Sequence, residues 1–141
     1  MKVTVLAIGK PRSKPVQALV ENYSARIRHY LPFEITAYRD DAQAAAKVEP
    51  GDFAVLLDER GEQMRSVELA ALISEKRSRS VRRLVFMIGG EDGAGEGMRG
   101  RANLVMSLSK MTFPHELVQA LLAEQLYRAC SINRGEPYHR E

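Results

Sequence analysis

Cysteine and tryptophan are nearly absent from this chain of 141 residues, which has one cysteine and no tryptophan. The single cysteine, Cys130, excludes an internal disulfide, and no group of cysteines and histidines has the spacing of a zinc site. The apolar run from Val3 to Ile8 is far too short to cross a membrane, and Met1-Lys2 lacks the flanks of a signal peptide. We therefore expect a cytoplasmic protein with no disulfide, metal site or membrane segment.

The chain is only mildly basic. Its net charge is +3 and its pI about 9.2, with 45% hydrophobic and 28% charged residues. This composition is typical of a globular protein, and the length fits one domain over residues 1–141. The basic residues cluster at Lys10, Arg12 and Lys14, at Arg26 and Arg28, and at Arg77, Arg79, Arg82 and Arg83. Each cluster is either a contact for a polyanion or a solvated face.

Strand and helix patterns alternate along the chain. Short apolar runs predict strands over 2–8, 33–38, 53–57, 82–88 and 103–106. Apolar residues at three- and four-residue spacing predict helices over 15–31 and 40–47, a third helix that begins at Ser66 and a fourth that begins at Pro114. The segments 58–63 and 91–100 are predicted loops. Continuous apolar strands separated by helices indicate an α/β fold with a mostly parallel sheet covered by helices on both faces.

The last predicted helix has little polar surface. Its apolar residues are Leu117, Val118, Ala120, Leu121, Leu122, Ala123, Leu126, Ala129 and Cys130. Such a helix must be buried on nearly all sides, and the interpretation of Cys130 is that it packs there. In so small a domain the best cover for the surplus face is a second copy of the chain, so we predict a homodimer.

Three loops follow predicted strands at the edge where ligands bind in open α/β sheets. They are 58–63, 89–97 and 108–114. Gly89-Gly90 allows the backbone to approach a ligand without Cβ atoms, or forms a tight turn. The G-x-G-x-x-G sequence at 95–100 has the wrong context for a dinucleotide site, because it does not leave the first strand. Met111 and Phe113 suit a flat ring, and His115 faces the same predicted pocket or is an exposed neighbour of the helix end.

Five segments carry a resemblance to a known family. They are Leu56–Gly61, Ile88–Gly93, Ser107–His115, Leu126–Ala129 and Pro137–Glu141. In this order, and over the whole chain, they resemble the RlmH family of small SPOUT-class ribosomal RNA methyltransferases. The resemblance implies a homodimer with a C-terminal trefoil knot. It also implies transfer of a methyl group from S-adenosylmethionine (SAM) to N3 of a pseudouridine in the large-subunit (23S) ribosomal RNA, on the assembled ribosome. Glu91-Asp92 after Gly90, and a short stretch between Tyr38 and Phe53, depart from many members of the family.

The resemblance also implies site residues. The expected SAM-binding residues are Leu57, Gly90, Ser109, Lys110, Met111, Thr112, Phe113 and Pro114. We expect Tyr138, His139 and Arg140 to fold over the pocket as the catalytic residues, with His139 as proton acceptor or as an RNA contact only. The expected substrate-binding residues are His115, Arg128, Tyr138 and Arg140.

Three alternatives stay open. The first is a knotted methyltransferase that acts on another rRNA or tRNA position. The second is a non-catalytic, ribosome-associated RNA-binding factor, and the third is a nicotinamide-dependent oxidoreductase.

Overall fold

The computed structural model describes residues 1–138, in which five strands alternate with five helices. The strands are β1 (Lys2–Ile8), β2 (Phe33–Tyr38), β3 (Phe53–Gln63), β4 (Arg83–Ile88) and β5 (Leu104–Ser107). The helices are α1 (Lys14–Ile27), α2 (Asp41–Ala45), α3 (Ser66–Ser78), α4 (Glu96–Arg101) and α5 (His115–Arg134). The predicted alternation is confirmed. No helix in this part of the chain is long and apolar enough to span a membrane.

The strands form one sheet in the order β2-β1-β4-β3-β5, and every pair is parallel. Both faces are covered, as the continuous apolar strands predict. On one face α1, α3 and α5 pack over a core that contains Val5, Phe86 and Leu126. On the other face the short helices α2 and α4 pack over a smaller core that includes Leu56 and Met98. All carboxyl ends of the strands therefore lie along one edge of the sheet.

The prediction of a loop over 58–63 is wrong, because β3 continues to Gln63. The strand is irregular there: Leu57 and Glu62 both lie opposite Met106 of β5. A Cβ atom at Gly61 would lie 2.7 Å from the carbonyl carbon of Val105 and 2.9 Å from that of Met106. Because Gly61 has no side chain, the second part of β3 can lie close to the backbone of β5. No apolar pattern in the sequence predicts this second pairing of β3 with β5.

The predicted loop 91–100 is also wrong, because α4 begins at Glu96. Asp41 accepts hydrogen bonds from the backbone N–H groups of Gly95 (2.7 Å) and Met98 (3.0 Å) at the start of this helix. A Cβ atom at Gly97 would lie 2.5 Å from the Asp41 carboxylate and 3.1 Å from Ala45. The first two glycines of the G-x-G-x-x-G sequence, Gly95 and Gly97, therefore serve the packing of α2 on α4.

Several helix ends differ from their predictions, among them those of α2, which spans Asp41–Ala45 and not 40–47. α1 ends at Ile27, four residues before Leu31, so that Pro32 follows a turn and does not itself stop the helix. α5 begins at His115 with Pro114 at the capping position, where Thr112 was the expected cap. The interpretation of Cys130 as a packing residue is confirmed, because it lies in the main core and burial raises its thiol pKa to about 11.

Gly61 provides a test of the close approach between β3 and β5. We expect Gly61→Ala to lower the free energy of unfolding by about 1–3 kcal/mol, because the added atom meets backbone that cannot rotate away. Urea unfolding measures this value. The control is Gly100→Ala, which has open space around its Cβ and lies in α4, where alanine is favoured. Equal stability of the two variants would contradict the prediction.

Candidate active site

A cavity of about 380 Å³ lies at the carboxyl ends of β4 and β5 and beside the irregular part of β3. The three segments that were expected to meet do line it together: 57–60 from β3, 88–94 after β4, and 108–113 after β5. His115 and Val118 of α5, with Arg99 of α4, complete the wall. The volume is within the range of small-molecule sites.

The Gly89-Gly90 pair shapes the part of the cavity that follows β4. A Cβ atom at Gly89 would lie 2.5 Å from the backbone of both Gly93 and Ala94. The backbone N–H of Gly93 donates to the carbonyl oxygen of Gly90 (2.9 Å), and Gly93 has a φ of 81°. The pair is thus both a tight turn and a cavity wall, which joins the two interpretations of its sequence.

Residues 108–113 form a wall of mixed character. The Ser107 hydroxyl donates to the carbonyl oxygen of Ser109 (2.7 Å), and the Ser109 hydroxyl accepts from the backbone N–H of Met111 (3.0 Å). These bonds shape the turn that presents Leu108 and Phe113 to the cavity. Of the eight expected SAM-binding residues, six line the cavity: Leu57, Gly90, Ser109, Met111, Thr112 and Phe113. Lys110 and Pro114 belong to the same loop but are not in the wall.

Asp58, Arg60 and Arg99 also line the cavity and were not expected as site residues. The Asp58 side chain is 9% exposed and pairs with Arg99. Burial alone would raise its pKa, but hydrogen bonds from the Arg60 backbone N–H and the Arg99 guanidinium outweigh this effect and lower the pKa to about 2. The sequence contains one signal for this site residue, because Asp58 is acidic and directly follows the predicted buried strand 53–57.

His115, an expected substrate-binding residue, is the first residue of α5 and lines the cavity. Its neighbour Glu116 accepts hydrogen bonds from the backbone N–H groups of Arg12 and Ser13. In addition, the Gln119 side chain donates to the carbonyl oxygen of Gly9 (3.0 Å). These contacts place the loop between β1 and α1 beside the part of α5 that reaches the cavity.

Arg128 and Tyr138 lie on another side of α5. The Glu124 carboxylate accepts from Arg128 at 2.6 Å and from the Tyr138 hydroxyl at 2.9 Å. The hydrogen bond to Glu124 raises the pKa of Arg128, while burial and the bonds to Tyr23 and Glu124 raise that of Tyr138. Neither residue is in the cavity wall.

The helix geometry separates these two groups of residues. Glu124 follows His115 by nine positions, which is two and a half turns of helix and therefore the opposite side. Tyr127, against which Tyr138 packs, follows Val118 by nine positions and therefore also lies on the opposite side of the helix. His139 and Arg140 lie outside the described residues.

Comparison with known sequences gives a match over nearly the whole chain. A family model described as "Predicted SPOUT methyltransferase" matches residues 1–139. Proteins named "Ribosomal RNA large subunit methyltransferase H" from Geobacter metallireducens and Geobacter sp. strain M21 are 40% and 42% identical to this chain. The alignments cover 99% and 100% of both chains, respectively.

Two solved structures share the fold. A probable methylase family protein from Haemophilus influenzae Rd KW20 has a TM-score of 0.56 at 7% identity, covering 99% of this chain and 70% of that one. A probable methyltransferase from Bordetella pertussis Tohama I has a TM-score of 0.54 at 12% identity, covering 92% of this chain and 96% of the other. At such identities the similarity shows the fold alone.

Proposed function

Because this chain belongs to the SPOUT methyltransferase family, we propose that it methylates large-subunit ribosomal RNA, with SAM as the methyl donor. The observation that carries the proposal is the full-length identity of about 40% to proteins named for that activity. The proposed site is the cavity beside the carboxyl ends of β4 and β5. We further propose N3 of a pseudouridine in 23S rRNA as the acceptor, on the ribosome in the cytoplasm.

The cavity has the features that a nucleoside with a charged tail requires. Leu57, Leu108 and Phe113 supply apolar surface for a flat ring. The turn at Gly89-Gly90 brings the backbone to the cavity surface without side chains, so that its polar groups can recognise the edge of the ring. Among the described residues no group of histidines, cysteines and carboxylates suits a metal ion.

The protein has two tasks in the reaction. SAM supplies an already activated methyl group on a sulfonium, so alignment of donor and acceptor provides much of the catalysis. N3 of a uracil-type ring also carries a proton that must leave. We assign its removal to His139, since histidine side chains titrate near neutral pH, and contact with the flipped base and its phosphate to Tyr138 and Arg140. His115 and Arg128 are further proposed RNA contacts.

We propose that the working unit is a homodimer. In the single chain the side chains of Leu19, Met111 and Phe113 are 44%, 74% and 38% exposed. Leu117 and Leu121 of α5 are also only partly buried. Together with the position of Tyr138 on the side of α5 away from its own cavity, these surfaces favour a site in which one protomer supplies the cavity and its partner the C-terminal residues.

A mixing experiment tests this shared site. His139→Ala removes the proposed proton acceptor, and Gly90→Val fills the cavity wall, where a Cβ atom already lies 3.2 Å from Ile8. Each variant alone should be inactive. In a refolded equimolar mixture we expect about one quarter of wild-type activity, because half of the dimers are mixed and each has one intact site. An inactive mixture whose mixed dimers are verified by mass spectrometry would contradict the shared site.

The basic clusters lie at different distances from the cavity. Lys10 and Arg12 are exposed on the loop beside the start of α5, and Lys14 is exposed at the first position of α1. Arg77 and Arg79 lie at the end of α3, before β4 begins. Since β4 has six residues, this second cluster is about 17 Å away along the sheet. We therefore propose the loop of residues 10–14 as the contact for RNA phosphates.

Charge reversal tests this assignment with a matched pair of variants. Lys10→Glu with Arg12→Glu should weaken ribosome binding at least about tenfold and reduce its dependence on salt, because phosphate contacts release counterions. Arg77→Glu with Arg79→Glu makes the same change in charge at the opposite edge and should bind ribosomes as the wild type does. Equal losses from both pairs would show that only net charge matters. SAM affinity should be unchanged in all variants.

Methylation of ribosomes tests the function itself. We expect the protein to bind SAM in calorimetry and to transfer labelled methyl groups to ribosomes from a strain that lacks its own enzyme. Mass spectrometry of the rRNA nucleosides should then identify N3-methylpseudouridine. Methylation of tRNA or of another rRNA position would replace the proposed acceptor. Failure to bind SAM would instead favour a non-catalytic RNA-binding factor.

A further inference from the structure

The chain reverses direction at the end of α5. The backbone N–H of Gly135 donates to the carbonyl oxygen of Ile132, and that of Glu136 donates to the carbonyl oxygen of Ser131, each at 3.0 Å. Gly135 has a φ of 75°, a conformation that glycine adopts without strain. This helix-ending motif turns residues 136–138 back along the helix. The course of the C-terminal segment therefore begins from a defined turn.

Glu136 is bound by Tyr30, which lies in the turn after α1. The hydroxyl of Tyr30 donates to the Glu136 carboxylate at 2.8 Å, and the Arg134 guanidinium lies 5.0 Å from the centre of the Tyr30 ring. The hydrogen bond to Glu136, with a further contribution from burial, raises the pKa of Tyr30 to about 12. Its hydroxyl therefore stays a donor over the physiological pH range. We call Tyr30, Arg134 and Glu136 the tail anchor.

Tyr138 continues the packing that starts at the tail anchor. Its ring meets the Tyr127 ring edge to face, with 4.6 Å between the ring centroids. The centroid of the Tyr127 ring lies 6.1 Å from that of Tyr30. The Tyr138 hydroxyl donates to Glu124. Glu136 thus contacts the turn after α1, and Tyr138 contacts Tyr23 of α1 and Glu124 and Tyr127 of α5.

We propose that Tyr30 and Glu136 are positioning residues for methyl transfer, which hold the start of the C-terminal segment so that Tyr138, His139 and Arg140 meet the acceptor base in one geometry. The inference rests on the proposed function, since it takes these terminal residues to act on that base. His139 follows Glu136 by three residues, so its Cα lies within about 10 Å of the anchored residue. Because Glu136 and Tyr138 both have defined contacts, the described part of the chain is held up to the residue before His139.

The test removes one hydroxyl group. Tyr30→Phe deletes the donor to Glu136 and keeps the ring beside Arg134. We expect its single-turnover rate, at saturating SAM and ribosomes, to fall about 10- to 100-fold, as misplacement of a reacting group by about 1 Å does. Its affinity for SAM should match the wild type, because the anchor does not line the cavity. Tyr38→Phe is the control: it makes the same change in β2, where Tyr38 has no hydrogen bond from its hydroxyl within residues 1–138.

The two variants of Glu136 separate positioning from general stability. Glu136→Gln keeps an acceptor for Tyr30 and should retain most of the rate, whereas Glu136→Ala should lose as much as Tyr30→Phe. A wild-type rate in Tyr30→Phe, or a loss of SAM affinity equal to its loss of rate, would overturn the inference. An inactive wild-type protein would instead show that the proposed function is wrong.

Discussion

The parallel arrangement of β4, β3 and β5 is the constraint on which the site depends. Because the three strands run in the same direction, the segments that leave their carboxyl ends meet at one edge. The chain then needs glycine where backbone passes close to backbone, at Gly61 over β5 and at Gly89 against residues 93–94. The cavity is thus a product of topology and of missing side chains more than of any single polar residue.

Helix α5 links the cavity to the C-terminal segment. One side of it carries His115 and Val118 to the cavity wall, and the opposite side holds Tyr138 through Glu124 and Tyr127. The same side as His115 packs on the sheet further along the helix, through Leu122 and Leu126. The cavity and Tyr138 therefore lie on opposite sides of one helix.

The fold was predictable where it depends on apolar periodicity and less so where it depends on close backbone contact. β1 and β2 have their predicted bounds, since each is a short run of strand-forming residues with turn residues behind it. The extension of β3 to Gln63 and the short helix α4 were missed, because both arise from tertiary contacts of polar, glycine-containing segments. The knot that the resemblance implies stays a prediction. Among site residues, the loops after the strands could be predicted from topology, whereas Arg99 reaches the cavity from a helix that no pattern indicated.

A methyl transfer of this kind divides naturally between two surfaces. The donor needs an enclosed pocket whose shape does not change, and the glycine turn and the Asp58–Arg99 pair beside it suit that requirement. The acceptor is one nucleotide of a large particle, so it requires open access and a few contacts on a projecting segment. We propose that a dimer meets both requirements, because Tyr138 lies on the side of α5 away from its own cavity, where it can meet the cavity of a second copy.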